Sequence, residues 1–242
     1  VTTRLVLLTY NIHGGIGVDG VLDLGRIAEV VEASGAQVVA LQEVDRHLRA
    51  QSRHEDQAGL LADRLGMHLA YAVCVDRGPG RPGGPPRQYG TALLATMPLV
   101  GPSTTLLPCF AGSEQRGLLD ATVRVDGLEL RVLGTHLQWD REDERVEQAR
   151  VVLDALDNRA TVLLGDLNTE PGSPTHRLLA QRLVDAWAEV GEGTGHTWEN
   201  DEPHRRIDYV WCGGGVRPVA ARVLPSVASD HAALRVEVEL PG

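Results

Sequence analysis

A chain of 242 residues with 43% hydrophobic side chains is long enough to bury about 70% of its extended surface, and one domain spanning 1–242 is expected. The formal charge of -10, from 33 acidic and 23 basic residues, disfavours long DNA or RNA as a partner, while a bound cation would still admit a small phosphorylated one. Cys74, Cys109 and Cys212 are too few and too widely spaced for a disulfide scaffold or a zinc site of paired cysteines. No run reaches the roughly 18 apolar residues of a membrane span, and no cleavage signal follows the first apolar stretch, so a cytoplasmic location is expected.

In chain order, residues 5–9 read as a buried strand that delivers Tyr10, Asn11 and His13 into a turn rich in glycine. Asp23 is placed to cap a helix carrying Ile27, Val30 and Val31, and Gly35 to stop it. A strand over 38–41 follows, with Glu43 just beyond its end, then a helix over 57–65 capped by Asp56 and an extended segment over 67–75. Residues 78–86 hold four Gly and four Pro around Arg81 and are expected to form a surface loop. Strands are expected over 89–96, 118–125 and 128–135, the last two joined by an Asp126-Gly127 hairpin turn. A helix over 142–156 places Val146, Ala149, Val152, Leu153 and Leu156 on one stripe. Strands over 161–165, 206–211, 216–223 and 232–240 complete the pattern. Antiparallel hairpins and strand-helix-strand units in one chain call for an α/β fold with mixed sheets.

Polar groups recur where apolar strands end: Asn11, Glu43, His136, Asp166 with Asn168, Asp208, and Asp230 with His231. Taken singly, each acid also reads as a turn cap or a solvated surface group, and each histidine as a structural one. Brought to one edge of packed sheets, they would form an oxygen-rich cavity suited to a hard cation such as Mg²⁺ or Mn²⁺.

Eight segments follow one another in a familiar order: YNIHGG at 10–15, QEVD at 42–45, YGTALL at 89–94, QRGLL at 115–119, GTHL at 134–137, GDLN at 165–168, RRIDYV at 205–210 and SDH at 229–231. Together they resemble the endonuclease/exonuclease/phosphatase superfamily, which includes DNase-like nucleases, sphingomyelinases, deadenylases and inositol-polyphosphate phosphatases. The resemblance implies a four-layer α/β sandwich, two mixed sheets face to face with helices outside, and hydrolysis of a phosphate ester with Mg²⁺ or Mn²⁺. It places Asn11, Glu43 and Asp230 on the metal side, with Glu43 a direct ligand. It pairs Asp208 with His231, gives Asp166 the nucleophile or the leaving group, and gives Asn168 a phosphate oxygen. His136 resembles a donor to the scissile phosphate or the leaving oxygen. Arg116 is a candidate phosphate donor, with a salt bridge to Asp120 or a neighbouring acid as the alternative. The division of acid and base between Asp166 and His231 stays open at this level. Thr91 departs from the pattern, standing where relatives commonly carry Asn. The Gly/Pro loop also differs from the polar segment that nuclease relatives place beside the cleft.

Substrate size rests on charge outside these motifs. Arg46, Arg49, Arg53, Arg77, Arg81 and Arg87 are the candidates for a basic rim, but the chain has no dense basic run and no aromatic series for stacking single-stranded bases. The expected partner is therefore a phosphorylated small molecule, a lipid headgroup or a short nucleotide. Metal-dependent cleavage of DNA or RNA is the alternative, and an inactive binding protein on the same scaffold the third reading.

Overall fold

Strand β1 (Arg4–Asn11) shows how the layers arise. Side chains alternate along a strand, so Leu5 and Leu7 enter one core while Leu8 and Tyr10 enter another. A strand apolar on both faces must be covered on both. The computed structural model describes residues 3–199 and 204–242.

A 3-10 turn (His13–Gly15) leads toward α1 (Leu24–Ser34), which Asp23 caps by accepting from the backbone N–H groups of Gly25 and Arg26. The helix crosses over to β2 (Val38–Arg46), parallel to β1. Next come α2 (Gln57–Leu65), β3 (His68–Pro79) and β4 (Pro86–Ala95). The second half runs through β5 (Val100–Leu106), β6 (Gly117–Val125), β7 (Leu128–His136), α3 (Glu142–Asp154) and β8 (Thr161–Asp166), with β7 and β8 again a parallel pair. It continues through α4 (Pro174–Leu179), β9 (Val184–Asp185), α5 (Ala186–Val190), β10 (Asp208–Gly213), β11 (Arg217–Leu224) and β12 (Ala233–Glu239).

The strands form two mixed six-stranded sheets, ordered β11-β12-β1-β2-β4-β3 and β5-β6-β7-β8-β10-β9. Leu5, Val38, Leu93, Val132, Val162 and Val210 belong to the core between the sheets. Leu8, Val39 and Leu41 pack outward on Ile27, Val31 and Leu61 of α1 and α2, and Leu133, Leu163 and Trp211 on Val152 and Leu179 of α3 and α4. Three cores separate four layers, the expected sandwich. No described helix is long and apolar enough to cross a membrane.

Several local expectations need correction. The segment 78–86 is the exposed tip of a hairpin, and its ends belong to β3 and β4, with Pro79 opposite Pro86. Proline is accommodated because Pro79 lies on the edge strand β3 and Pro86 is the first residue of β4. Strand β5 was not expected; every residue in it is exposed, so no buried face marks it in the sequence. The strand expected from 206 begins at Asp208, and Arg206 ahead of it is held in an ion pair with Asp185.

That pair joins the second sheet to its short helices. Asp185 caps α5 through the N–H groups of Trp187 and Ala188, accepts from Arg206 at 3.0 and 2.7 Å, and lies 3.1 Å from His176 Nε2. Burial opposes its ionisation, but the His176 and Arg206 hydrogen bonds outweigh burial and hold the carboxyl below its usual range. Asp185→Ala should cost about 3–5 kcal/mol in urea unfolding at neutral pH, because it strands a buried guanidinium. A depressed folded pKa stabilises above the unfolded value near 3.9 and ceases to do so as pH falls through the folded one. The gap between the variant and wild type should therefore narrow below about pH 4; a constant gap down to acid unfolding would show that the charge contributes nothing.

Candidate active site

Both sheets end at the site. The parallel strands deliver residues toward this edge: Asn11, His136 and Asp166 stand at the C-terminal ends of β1, β7 and β8, whereas Glu43, expected just beyond its strand, lies within β2, which runs on to Arg46 past a register irregularity between Leu41 and Val44. Strands of opposite direction deliver them at or just before their starts: Asp208 on β10, Arg116 ahead of β6, and Asp230-His231 ahead of β12. Pairing of His136 with Asp166, and of Asp166 with Asp208, sets three of these residues side by side in register.

Two motif glycines sit where neighbouring strands leave no room for a side chain. A Cβ on Gly165 would lie 2.1 Å from Thr135 O, and one on Gly90 would lie 1.8 Å from Ala72 O. Gly90 sits opposite Val44, just past an irregularity in the β2–β4 register that sets Glu43 at φ 58°. A bulge re-aims a side chain at the cost of local strain, and here it accompanies a left-handed Glu. His13 and Asn168 also have positive φ, at 47° and 50°.

Asn11 joins the halves. Its Nδ2 donates to Glu43 Oε1 at 3.2 Å and to Asp166 Oδ2 at 3.1 Å, and its Oδ1 accepts from His13 N at 3.0 Å. Both ends of the amide are therefore engaged in positioning neighbouring groups. Asp166 also accepts from Asn168 N at 2.9 Å, and the Asn168 side chain donates to Leu137 O, with its amide nitrogen 3.0 Å from His136 Nε2.

The two histidines are electrically different. Arg116 has no lone pair to offer, so His136 Nδ1 accepts from its Nη1 at 3.1 Å, while Nε2 lies 3.5 Å from Asp166 Oδ2. Burial, together with the charges of Arg116 and His231, holds this imidazole well below its ordinary pKa. His231 Nδ1 lies 2.8 Å from Asp208 Oδ2, and its Nε2 is 3.7 Å from Asp166 Oδ2. Burial favours the neutral ring, but Asp208, with Asp166 and Asp230, overrides it and pushes the pKa up to about 10. Burial and the neighbouring Asp208 in turn raise Asp166 to about 7, against the pull of His231 and the Asn11 and Asn168 hydrogen bonds. Arg116 pairs with Glu114 at 3.1 Å, whereas Asp120 is taken by Arg131.

Among the described residues, Asp166, Asp208 and His231 bring ligand atoms within 4.8 Å of one another. Asp208 Oδ1 is buried with no hydrogen-bond partner. Glu43 and Asp230 line the adjoining cavity of about 260 Å³ with Arg116, His136, Asp166, Asn168 and His231. Hard oxygens predominate in this donor set and carboxylates outnumber cations, which fits a divalent metal. All nine expected site residues thus fall at one edge, eight of them in direct hydrogen-bond or ion-pair contact with another of the nine. Asp230 is the ninth and lies 3.6 Å from His13 Nδ1. A larger cavity of about 700 Å³ between α5 and β11 has Glu192 as its one lining acid.

Sequence reasoning missed Trp139, Trp198 and Arg205, which line the same cavity. Trp139 lies three residues past His136, a signal that an unpaired aromatic outside any apolar period supplies in hindsight.

The sandwich, with acids and histidines gathered where both sheets end, is the framework of a phosphate-ester hydrolase. The chain belongs to the endonuclease/exonuclease/phosphatase family, whose model matches residues 8–231. An endonuclease/exonuclease/phosphatase from Beutenbergia cavernae DSM 12333 is similar with 30% identity and a TM-score of 0.84, over 99% of this chain and 72% of that one. A family protein from Bacteroides thetaiotaomicron shares the fold at 18% identity and a TM-score of 0.79, over 100% of both chains. A mannosyl-6-phosphatase from Bacteroides thetaiotaomicron VPI-5482 shares it at 19% identity and a TM-score of 0.77, over 97% of this chain and 99% of that one. No curated protein sequence matches the chain.

Asp208→Asn should remove the charge that holds His231 protonated. Ring resonances followed by NMR should then show the His231 titration moved down from about 10. An unchanged titration would break the proposed pair.

Proposed function

We propose that the chain is a Mg²⁺- or Mn²⁺-dependent hydrolase of small phosphate esters. The observation that carries this reading is the buried Asp166, with Nε2 of His136 and of His231 at 3.5 and 3.7 Å from its Oδ2, on the wall of an acid-lined cavity of about 260 Å³. Glu43 and Asp230 would hold the metal, with Asn11 fixing Glu43 against Asp166. When bound, the cation would offset the carboxylates and polarise a phosphate oxygen.

The chain's own groups divide the remaining work. His231 is held charged by Asp208, so it has a proton to donate to a phosphate oxygen and little capacity to accept one. Asp166 is the better base: burial raises its proton affinity, and Oδ2 faces the cavity groups. Arg116 orients His136 from behind and offers further N–H groups at the cavity wall, and Asn168 on the same wall would hold an equatorial oxygen.

Small substrates are favoured by the fate of the arginines. Arg46 pairs with Asp56 and lies over Tyr71, Arg49 lies over Tyr89, and Arg87 donates to backbone carbonyls in its own hairpin. Arg205 at the cavity pairs with Glu170. These groups do not make a free basic track of the sort that binds successive phosphates. A mannosyl-6-phosphatase stands among the structural neighbours, which accords with this choice.

Hydrolysis of small esters should disappear with a chelator and return with Mg²⁺ or Mn²⁺, and Asp166→Ala or His231→Ala should lower kcat by about 10² or more while circular dichroism stays unchanged. Full turnover in chelator would overturn the metal role, and near-normal turnover of either variant would overturn the division of labour. The same screen should include duplex DNA, single-stranded DNA, RNA and phospholipid at several salt concentrations. Fast, salt-sensitive polynucleotide cleavage with little ester turnover would make the chain a nuclease.

A further inference from the structure

Trp139 is the most exposed large hydrophobic side chain among the described residues, at 67%. A solitary exposed apolar group needs no explanation by itself. The backbone beneath this one does. Arg145 Nη1 donates to Gln138 O at 2.8 Å and to Trp139 O at 2.9 Å, Gln148 Oε1 accepts from Gln138 N at 2.9 Å, and Gln138 Oε1 accepts from Trp139 N at 3.0 Å. Arg145 and Gln148 are themselves buried, and Arg145 is fixed by Glu142 Oε2 at 2.8 Å. A rigid mount therefore carries an indole that packs on little protein surface.

Its position gives the mount a use. Trp139 lines the cavity that holds Arg116, His136, Asp166 and Asn168, and it follows His136 by three residues, a span of at most about 10 Å. The indole and the phosphate-handling groups therefore share the wall of one cavity. The cavity, at about 260 Å³, is smaller than the roughly 300–1,000 Å³ typical for drug-sized ligands, so it suits a phosphate plus one ring.

We propose that Trp139 is a specificity-determining platform on which the ring of the esterified alcohol stacks, making ring-bearing phosphate monoesters the preferred substrates. This rests on the hydrolase reading above. A rigid indole gives the face of a ring, the C–H face of a sugar or the plane of a base, a large contact at low entropic cost. An acyclic alcohol has no face to offer it. Arg145 is the positioning residue, acting through the Trp139 carbonyl.

The test compares glucose 6-phosphate, adenosine 5′-monophosphate and glycerol 3-phosphate with Mg²⁺. Trp139→Ala should lower the ratio of kcat/KM for the ring esters over glycerol 3-phosphate about tenfold, mainly through KM, and Trp139→Phe should restore most of it. The two ring esters show which ring is preferred, and loss for either supports the platform. Arg145→Met should lower the same ratio, an effect that general loosening of the site would not confine to ring esters. Calorimetric binding of the same three esters to Mg²⁺-loaded Asp166→Asn protein, with and without Trp139→Ala, gives a readout free of turnover. If wild-type protein hydrolyses none of them yet ring esters bind through Trp139, the hydrolase reading fails and the platform stands. Unchanged ratios and affinities in Trp139→Ala, or no binding of any ester, would overturn the platform.

Discussion

A carboxylate with 1% exposure can stay in a folded protein only if its neighbours replace water, and Asp166 draws those neighbours from both sheets. Asn11 reaches it from the first sheet, the Asn168 N–H and His136 from the second, and His231 from the segment that leads into β12. Separating the sheets would leave Asp166 without the Asn11 and His231 contacts. Packing of the interleaved Leu and Val side chains between the sheets therefore does two things at once: it supplies the apolar burial, and it assembles the polar cluster. Fold and site depend on the same interface.

Strand direction turns this constraint into chemistry. Each sheet has a parallel pair joined by a helix at its centre, β1-α1-β2 in one and β7-α3-β8 in the other, so the C-terminal ends of four strands point to one edge. Antiparallel neighbours bring their starts to the same edge, which is why Asp208 opposes Asp166. The like charges of these two acids are not both tolerated without a cation, and the imidazolium of His231 sits in contact with each. Burial is common to His231 and His136 and favours the neutral ring in both; what separates them is the carboxylate of Asp208 beside the first and the guanidinium of Arg116 beside the second.

The apolar strands and the polar residues at their ends were legible because period and punctuation are local properties. Asp23 and Asp56 cap the helices assigned to them, and Asp126-Gly127 makes the turn expected of it, with φ of 51° and 81°. Strand β5 was not legible, since seven exposed residues give no alternation of burial. Nor was the state of His136, which depends on Arg116 twenty residues away in sequence and beside it in space. The buried polar face of α3 was hidden as well. Its apolar stripe was visible in Ala149, Val152 and Leu153, but Glu144, Arg145 and Gln148 are buried too, and their partners are loop carbonyls, N–H groups and a hydroxyl that no periodicity reveals.

Those hidden residues explain how loops hold a site that needs exact spacing. Gln148 accepts from Gln138 N and donates to Pro108 O, tying the segment after His136 to the one that leads to Arg116. Glu144 accepts from Ser113 Oγ on that second segment, and Glu142 accepts from Thr175 beyond Asn168. In the other half, Gln57 of α2 accepts from Asp45 N and donates to Gly14 O, tying the exit of β2 to the turn after Asn11. A glutamine suits this work because one amide both donates and accepts, so it satisfies two unrelated backbone groups at once. Both glutamines are fully buried, and removing either would leave backbone groups unpaired at about 1–3 kcal/mol each. The helices therefore serve as more than cover for the sheets: through buried polar side chains they fix the loops around Asp166 to the same layers whose packing makes its burial possible.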